Sequence, residues 1–109
     1  MKAFPVKLNR DEYCYEDCSV EEATHLRLLM EGHFPEQVIP VNGIRKDGPM
    51  WTWDGNVDEP TITPSILTTC DTPKKKMVCH SVIIKGIVNY LPDCTHEFAG
   101  QQRPLREVR

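Results

Sequence analysis

Two short segments near the C-terminal end hold the residue types that do chemistry. Val78-Cys79-His80-Ser81 is followed, after eleven intervening residues, by Asp93-Cys94-Thr95-His96. Thiolate sulfur and imidazole nitrogen are the ligands zinc prefers, about four at a time. Cys94 and His96 are two apart, so an extended backbone turns both to one face. Cys79 and His80 are neighbours, so a regular strand turns them to opposite faces, and only an irregular end or a bulge brings both to the same site. Cys79, His80, Cys94 and His96 are therefore the candidate zinc ligands. His80 is favoured of the first pair, and Cys79 or Cys70 completes the set. The competing reading keeps Cys79 and Cys94 as small buried apolar residues, with the histidines hydrogen-bonded or exposed.

Other clusters are weaker. Cys14-X-X-X-Cys18, with His25 and His33 downstream, shares a face only if that stretch is helical. Cys79 beside His80 suggests a nucleophile and base, but neighbours on a strand face apart. Asp93 and Glu97 flank Cys-Thr-His as carboxylates that could orient an imidazole, act as a base, or simply face solvent. Trp51, Trp53 and Tyr90 either line a groove or fill the core.

The elements must bring these residues together. Lys85-Gly86 reads as the tight turn of a hairpin joining Met77–Ile84 to Ile87–Leu91, runs rich in branched side chains. Pairing across it sets Ile84 against Ile87 and Cys79 against Pro92, close to Cys94 and His96. Upstream, Ile66–Cys70, Met50–Asp54 and Gln37–Val41 read as strands. Asn42-Gly43, Asp47-Gly48 and Asp54-Gly55 read as turns, and Glu59–Ser65 as extended chain around Pro60 and Pro64. Residues 3–8 read as an edge strand, because Pro5 cannot donate to a central ladder. Ser19 followed by Glu22 has the form of a capping box, predicting a helix to about Glu31 with Val20, Ala23, Leu26, Leu29 and Met30 inward and Gly32 beyond its end. The expected fold is α+β, mostly β, with one N-terminal helix packed on a small, largely antiparallel sheet.

The chain has 109 residues, 39% hydrophobic and 27% charged, a globular composition of single-domain length. The expected single domain divides into an N-terminal strand and helix (1–47) and a β-rich, motif-bearing part (48–105). The formal charge of −3 and only two basic spots, Lys74–Lys76 and Arg103, Arg106 and Arg109, argue against duplex binding, which needs a basic face. No run approaches the roughly 20 apolar residues that span a bilayer, and the N-terminus lacks a signal-peptide core. A cytoplasmic location follows, with its five cysteines reduced, an odd number that fits no closed disulfide framework.

Gly48–Gly55, Pro60–Leu67, Cys79-His80-Ser81 and Asp93–Gln101 together resemble a family of small uncharacterised proteins common in tailed phages and prophages, some named ammonia monooxygenases without support. The resemblance covers about residues 48–105. A more distant group, found beside bacterial ubiquitin-like conjugation genes, has a Cys-rich element after an early His-Leu, where this chain reads Thr24-His25-Leu26-Arg27-Leu28-Leu29. The resemblance implies that the Trp, Pro-Ser and Cys/His motifs form one site or structural unit. The functional expectation is a phage or prophage accessory protein with a structural zinc site, acting through contacts with a protein partner such as a host factor or defence system. The alternative is a zinc-dependent hydrolase or peptidase with an open metal position and Asp93 or Glu97 as base.

Overall fold

The computed structural model describes residues 1–41, 48 and 50–107. Among them there is no helix. Nine strands run β1 (Ala3–Asn9), β2 (Cys14–Asp17), β3 (His25–Leu29), β4 (Glu36–Pro40), β5 (Thr52–Trp53), β6 (Ile62–Asp71), β7 (Lys76–Ile84), β8 (Ile87–Tyr90) and β9 (Gln102–Pro104). They form two sheets with strand order β2-β1-β3-β4 and β5-β6-β7-β8-β9, and every strand pair in them is antiparallel. The expected α+β class is thus corrected to all-β.

The predicted helix fails for a physical reason that can be traced along residues 19–31. The capping-box pair does form, Ser19 Oγ donating to Glu22 Oε1 at 3.0 Å, and Glu22 N–H reaches the Ser19 carbonyl. These bonds close a turn and nothing propagates from it. From His25 the chain is extended and paired on both sides, with β1 and with β4. Leu26, Leu28 and Met30 are buried at alternate positions. That apolar stretch satisfies a period of two as well as a helical period, and two ladders of tertiary hydrogen bonds outweigh the local preference.

β1 is likewise not an edge. It lies between β2 and β3, with β2 pairing Val6–Asn9 and β3 pairing Ala3–Val6. Pro5 is tolerated because its missing N–H falls beyond the end of β2, on the side where its carbonyl accepts from Cys18 N–H.

The strands expected from Gln37 onward fall near their places, but in two sheets rather than one, and the strand expected over Met50–Asp54 shrinks to Thr52–Trp53. The hairpin turns on Lys85 and Gly86, both with positive φ (47° and 78°), and Ile84 faces Ile87 in the expected register. The turns expected at Asn42-Gly43 and Asp47 lie outside the described residues; Gly55 has the positive φ (81°) of its turn. Leu26, Leu28, Met30, Ile39 and Val41 from the first sheet and Trp53, Ile62, Ile66, Cys79, Ile83, Val88, Tyr90 and Leu105 from the second form one buried cluster. Both sheets therefore close on a single core. None of the helices that would be needed to cross a membrane is present among the described residues.

Candidate functional site

β7 carries chemistry on both faces. Its burial alternates near the middle, with Cys79 and Ser81 fully buried while His80 is partly exposed. The expected opposition of Cys79 and His80 is realised, and the two serve different groups of residues.

On the inner face, Cys79, Cys94 and His96 bring their ligand atoms within 4.8 Å of one another, a buried group that could hold a metal ion. His96 Nε2 is 3.4 Å from Cys79 Sγ. Cys94 sits under the backbone of His80, accepting from its N–H and donating to its carbonyl, each at 3.2 Å. Burial pushes the Cys79 thiol up to about 12, helped by the neighbouring Cys94; without an ion this cysteine is protonated and inert. Burial, followed by the nearby His33, holds His96 below the usual histidine range. Both shifts favour neutral forms in the absence of a cation. Gly32 makes room for the imidazole: a Cβ there would stand 2.6 Å from the His96 ring.

His80, expected as a ligand, is not part of this group. Neither is Cys70, near the far end of β6. Cys14 lies in an exposed group with Glu12 and Glu16 that does not include Cys18. His25 bonds Thr24 and stacks edge-on against Tyr15, while His33 bonds Thr95 and stands edge-on to His96.

On the outer face, the His80 ring is held at both nitrogens. Nδ1 lies 3.0 Å from Asp93 Oδ2 and 3.3 Å from Oδ1, and Nε2 lies 3.0 Å from Ser65 Oγ. An ionised carboxylate only accepts, so the ring proton sits on Nδ1. Nε2 then presents its lone pair to the Ser65 hydroxyl. Of the roles open to Asp93, the one realised is to orient an imidazole, that of His80.

Ser65 was not singled out by sequence. It sits in an irregular part of β6, where Ile62 pairs with Ile83 and Ile66 with Ser81, so that β6 carries two residues more than β7 across the stretch. Such a bulge bends the strand locally while leaving Ser65 on the face opposite the buried Ile66. Trp51 anchors the spot, its indole N–H donating to the Ser65 carbonyl at 3.2 Å. The available signal was the motif resemblance, which grouped the Trp, Pro-Ser and Cys/His segments as one unit; spacing alone carried none.

An antiparallel β protein with a serine hydroxyl, an imidazole and a carboxylate in one hydrogen-bonded line has the arrangement of a serine hydrolase. The chain belongs to the family described as the bacterial ubiquitination-like system serine protease (BubE), whose model matches residues 13–91, well over half of its length. The match takes in Ser65 and His80 and ends just before Asp93. No curated protein and no solved structure matches the chain.

Proposed function

We propose that this protein is a serine peptidase of a bacterial ubiquitination-like system, with Ser65 as nucleophile, His80 as general base and acid, and Asp93 as the carboxylate that fixes the His80 tautomer. The observation that carries the reading is the continuous Ser65–His80–Asp93 line, joined to membership of a family described as serine proteases. In the reaction, Ser65 Oγ attacks the substrate carbonyl carbon while His80 Nε2 takes the hydroxyl proton. The C–N bond breaks, His80 returns that proton to the departing amine, and an acyl ester remains on Ser65. Water, deprotonated by His80, then hydrolyses the ester and restores the serine.

Zinc belongs behind this line rather than in it. Two cysteine sulfurs and an imidazole suit zinc better than magnesium or calcium, which take oxygen ligands. An ion there would displace the thiol protons and bind His96 at Nε2, leaving the ring proton on Nδ1, so the Phe98 N–H that now donates to that atom at 3.2 Å would have to turn away. It would tie β7 to the 94–96 segment and so hold His80 and Asp93 at their spacing, a structural role. The hydrolase reading in which zinc activates water loses Asp93 as a base, because that carboxylate is engaged with His80, and is left with Glu97 alone. The resemblance to phage and prophage proteins adds a setting in which the protein partner first expected, a host factor, is the peptidase's substrate.

The test is covalent labelling. Purified protein treated with a fluorophosphonate is expected to gain one adduct, on Ser65. Ser65→Ala and His80→Ala should abolish labelling and lower peptide or ester turnover by on the order of 10^3-fold or more. Labelling that survives Ser65→Ala removes the serine peptidase reading.

A further inference from the structure

We infer that the substrate is an extended peptide segment that binds as an added strand along β6, immediately beyond the nucleophile; the inference rests on the serine peptidase reading and names the substrate's conformation. β6 is paired with β7 along Ile66–Asp71, but β5 covers its other side only at Ile62 and Thr63. From Ile66 onward that side of β6 has no partner strand among the described residues.

The register says which groups face the opening. His80 directs its N–H and carbonyl to Cys94 and Leu91, and Val78 directs its own to Thr95, all on the side of β7 away from β6. Leu67 stands opposite His80 and Thr69 opposite Val78. In an antiparallel ladder these are the pairs that exchange no hydrogen bonds, so Leu67 and Thr69 point their backbone N–H and C=O groups out to the open side. Two such residues at i and i+2 are what an incoming strand pairs with. Ser65 continues the alternation, and its carbonyl is already occupied on that side by the Trp51 indole. The pairing edge therefore begins where the nucleophile is fixed.

A pocket lies along this edge, walled by β4 on one side and by Ile66, Leu67 and Thr68 on the other, with Phe34 and Trp51 as apolar lining. Leu67 is 55% exposed, a large apolar side chain with nothing described over it. In the β4 wall, Gln37 is 8% exposed; its oxygen accepts from Thr68 Oγ1 at 2.7 Å, and its Nε2 is buried with no hydrogen-bond partner. A peptide carbonyl entering the pocket would satisfy that amide after a small rotation of its terminal torsion. Walls of mixed polar and apolar side chains, an unpaired amide and a row of outward backbone groups together fit an extended chain and give a folded surface little to hold.

The experiment uses the full chain, p-nitrophenyl acetate, and a library of internally quenched decapeptides. Peptides that are cleaved are remade with N-methyl groups at alternate residues, which removes backbone donors without touching the protein. Methylation in one alternating phase on one side of the scissile bond should lower kcat/KM about tenfold or more, the loss expected from one or two hydrogen bonds, and methylation in the other phase should not. In parallel, Thr69→Pro, which deletes an outward N–H and leaves the ladder with β7 intact, should lower the ratio of peptide to ester hydrolysis by a similar factor. An enzyme that hydrolyses the ester through Ser65 yet cleaves no library peptide, or is indifferent to methylation in both phases, overturns the β6 site. Ester hydrolysis that persists in Ser65→Ala would instead overturn the serine peptidase reading beneath it.

Discussion

Cys79 and His80 are covalent neighbours that belong to different sites, because a strand gives successive side chains to opposite faces. Which face holds which chemistry is decided by partners far along the chain: Cys94 and His96 arrive inside, Ser65 and Asp93 outside. Sequence reasoning reached the alternation and the convergence of segments 79–80 and 94–96. It chose His80 for the inner group, since nothing local reveals which way β7 is turned. Three of the four expected ligands are nonetheless together. If zinc occupies them, its binding energy is folding energy. Cys79→Ser, Cys94→Ser and His96→Ala should each lower metal per chain, measured by elemental analysis of untagged protein, and lower the melting temperature. Each kcal/mol lost is worth roughly 4–8 °C in a chain of this size. Cys14→Ser and Cys18→Ser should change neither. His80→Ala should retain the metal while losing fluorophosphonate labelling. Wild-type protein without metal, melting alike with and without chelator, would end the zinc proposal.

Strands and turns were legible where their signals were strictly local. Lys85-Gly86 fixed a hairpin register that the structure reproduces, and the branched runs on either side became β7 and β8. The segment from Ser19 to Glu31 was not legible, because its leucines fit either period and the deciding partners, β1 and β4, lie elsewhere in the chain. The bulge beside Ser65 was illegible for the same reason: a register shift exists only relative to β7. This has a measurable consequence for Ser19. As a true helix cap, its loss would cost about 0.5–2 kcal/mol. In the observed exposed turn it makes one side-chain bond to Glu22, so Ser19→Ala should fall within about 0.5 kcal/mol of wild type. Far-UV circular dichroism should show a β-type spectrum for both proteins. A destabilisation of 1 kcal/mol or more by denaturant titration would contradict the turn.

Across the whole molecule the two sheets are joined by long-range ties that run beside both sites. Tyr90 donates from its hydroxyl to the Glu31 carbonyl and accepts from the Glu31 N–H at 2.7 Å, linking β8 to the segment after β3. Leu105 is 2% exposed in the shared core, with its N–H on the Gly86 carbonyl, and the next residue's N–H reaches the Leu29 carbonyl. A core assembled from both sheets leaves neither with an apolar face of its own to bury, so the sheets should unfold as one unit. Leu105→Ala tests this without altering Ser65, His80 or the Cys/His group themselves. Removing its buried side chain should cost about 2–5 kcal/mol. Tryptophan fluorescence, which reports Trp51 beside the nucleophile and Trp53 in β5, and far-UV circular dichroism, which reports both sheets, should then shift to a lower midpoint by the same amount. Two separated transitions, with the fluorescence midpoint left in place, would show that the sheet carrying Ser65 and His80 stands independently of the other.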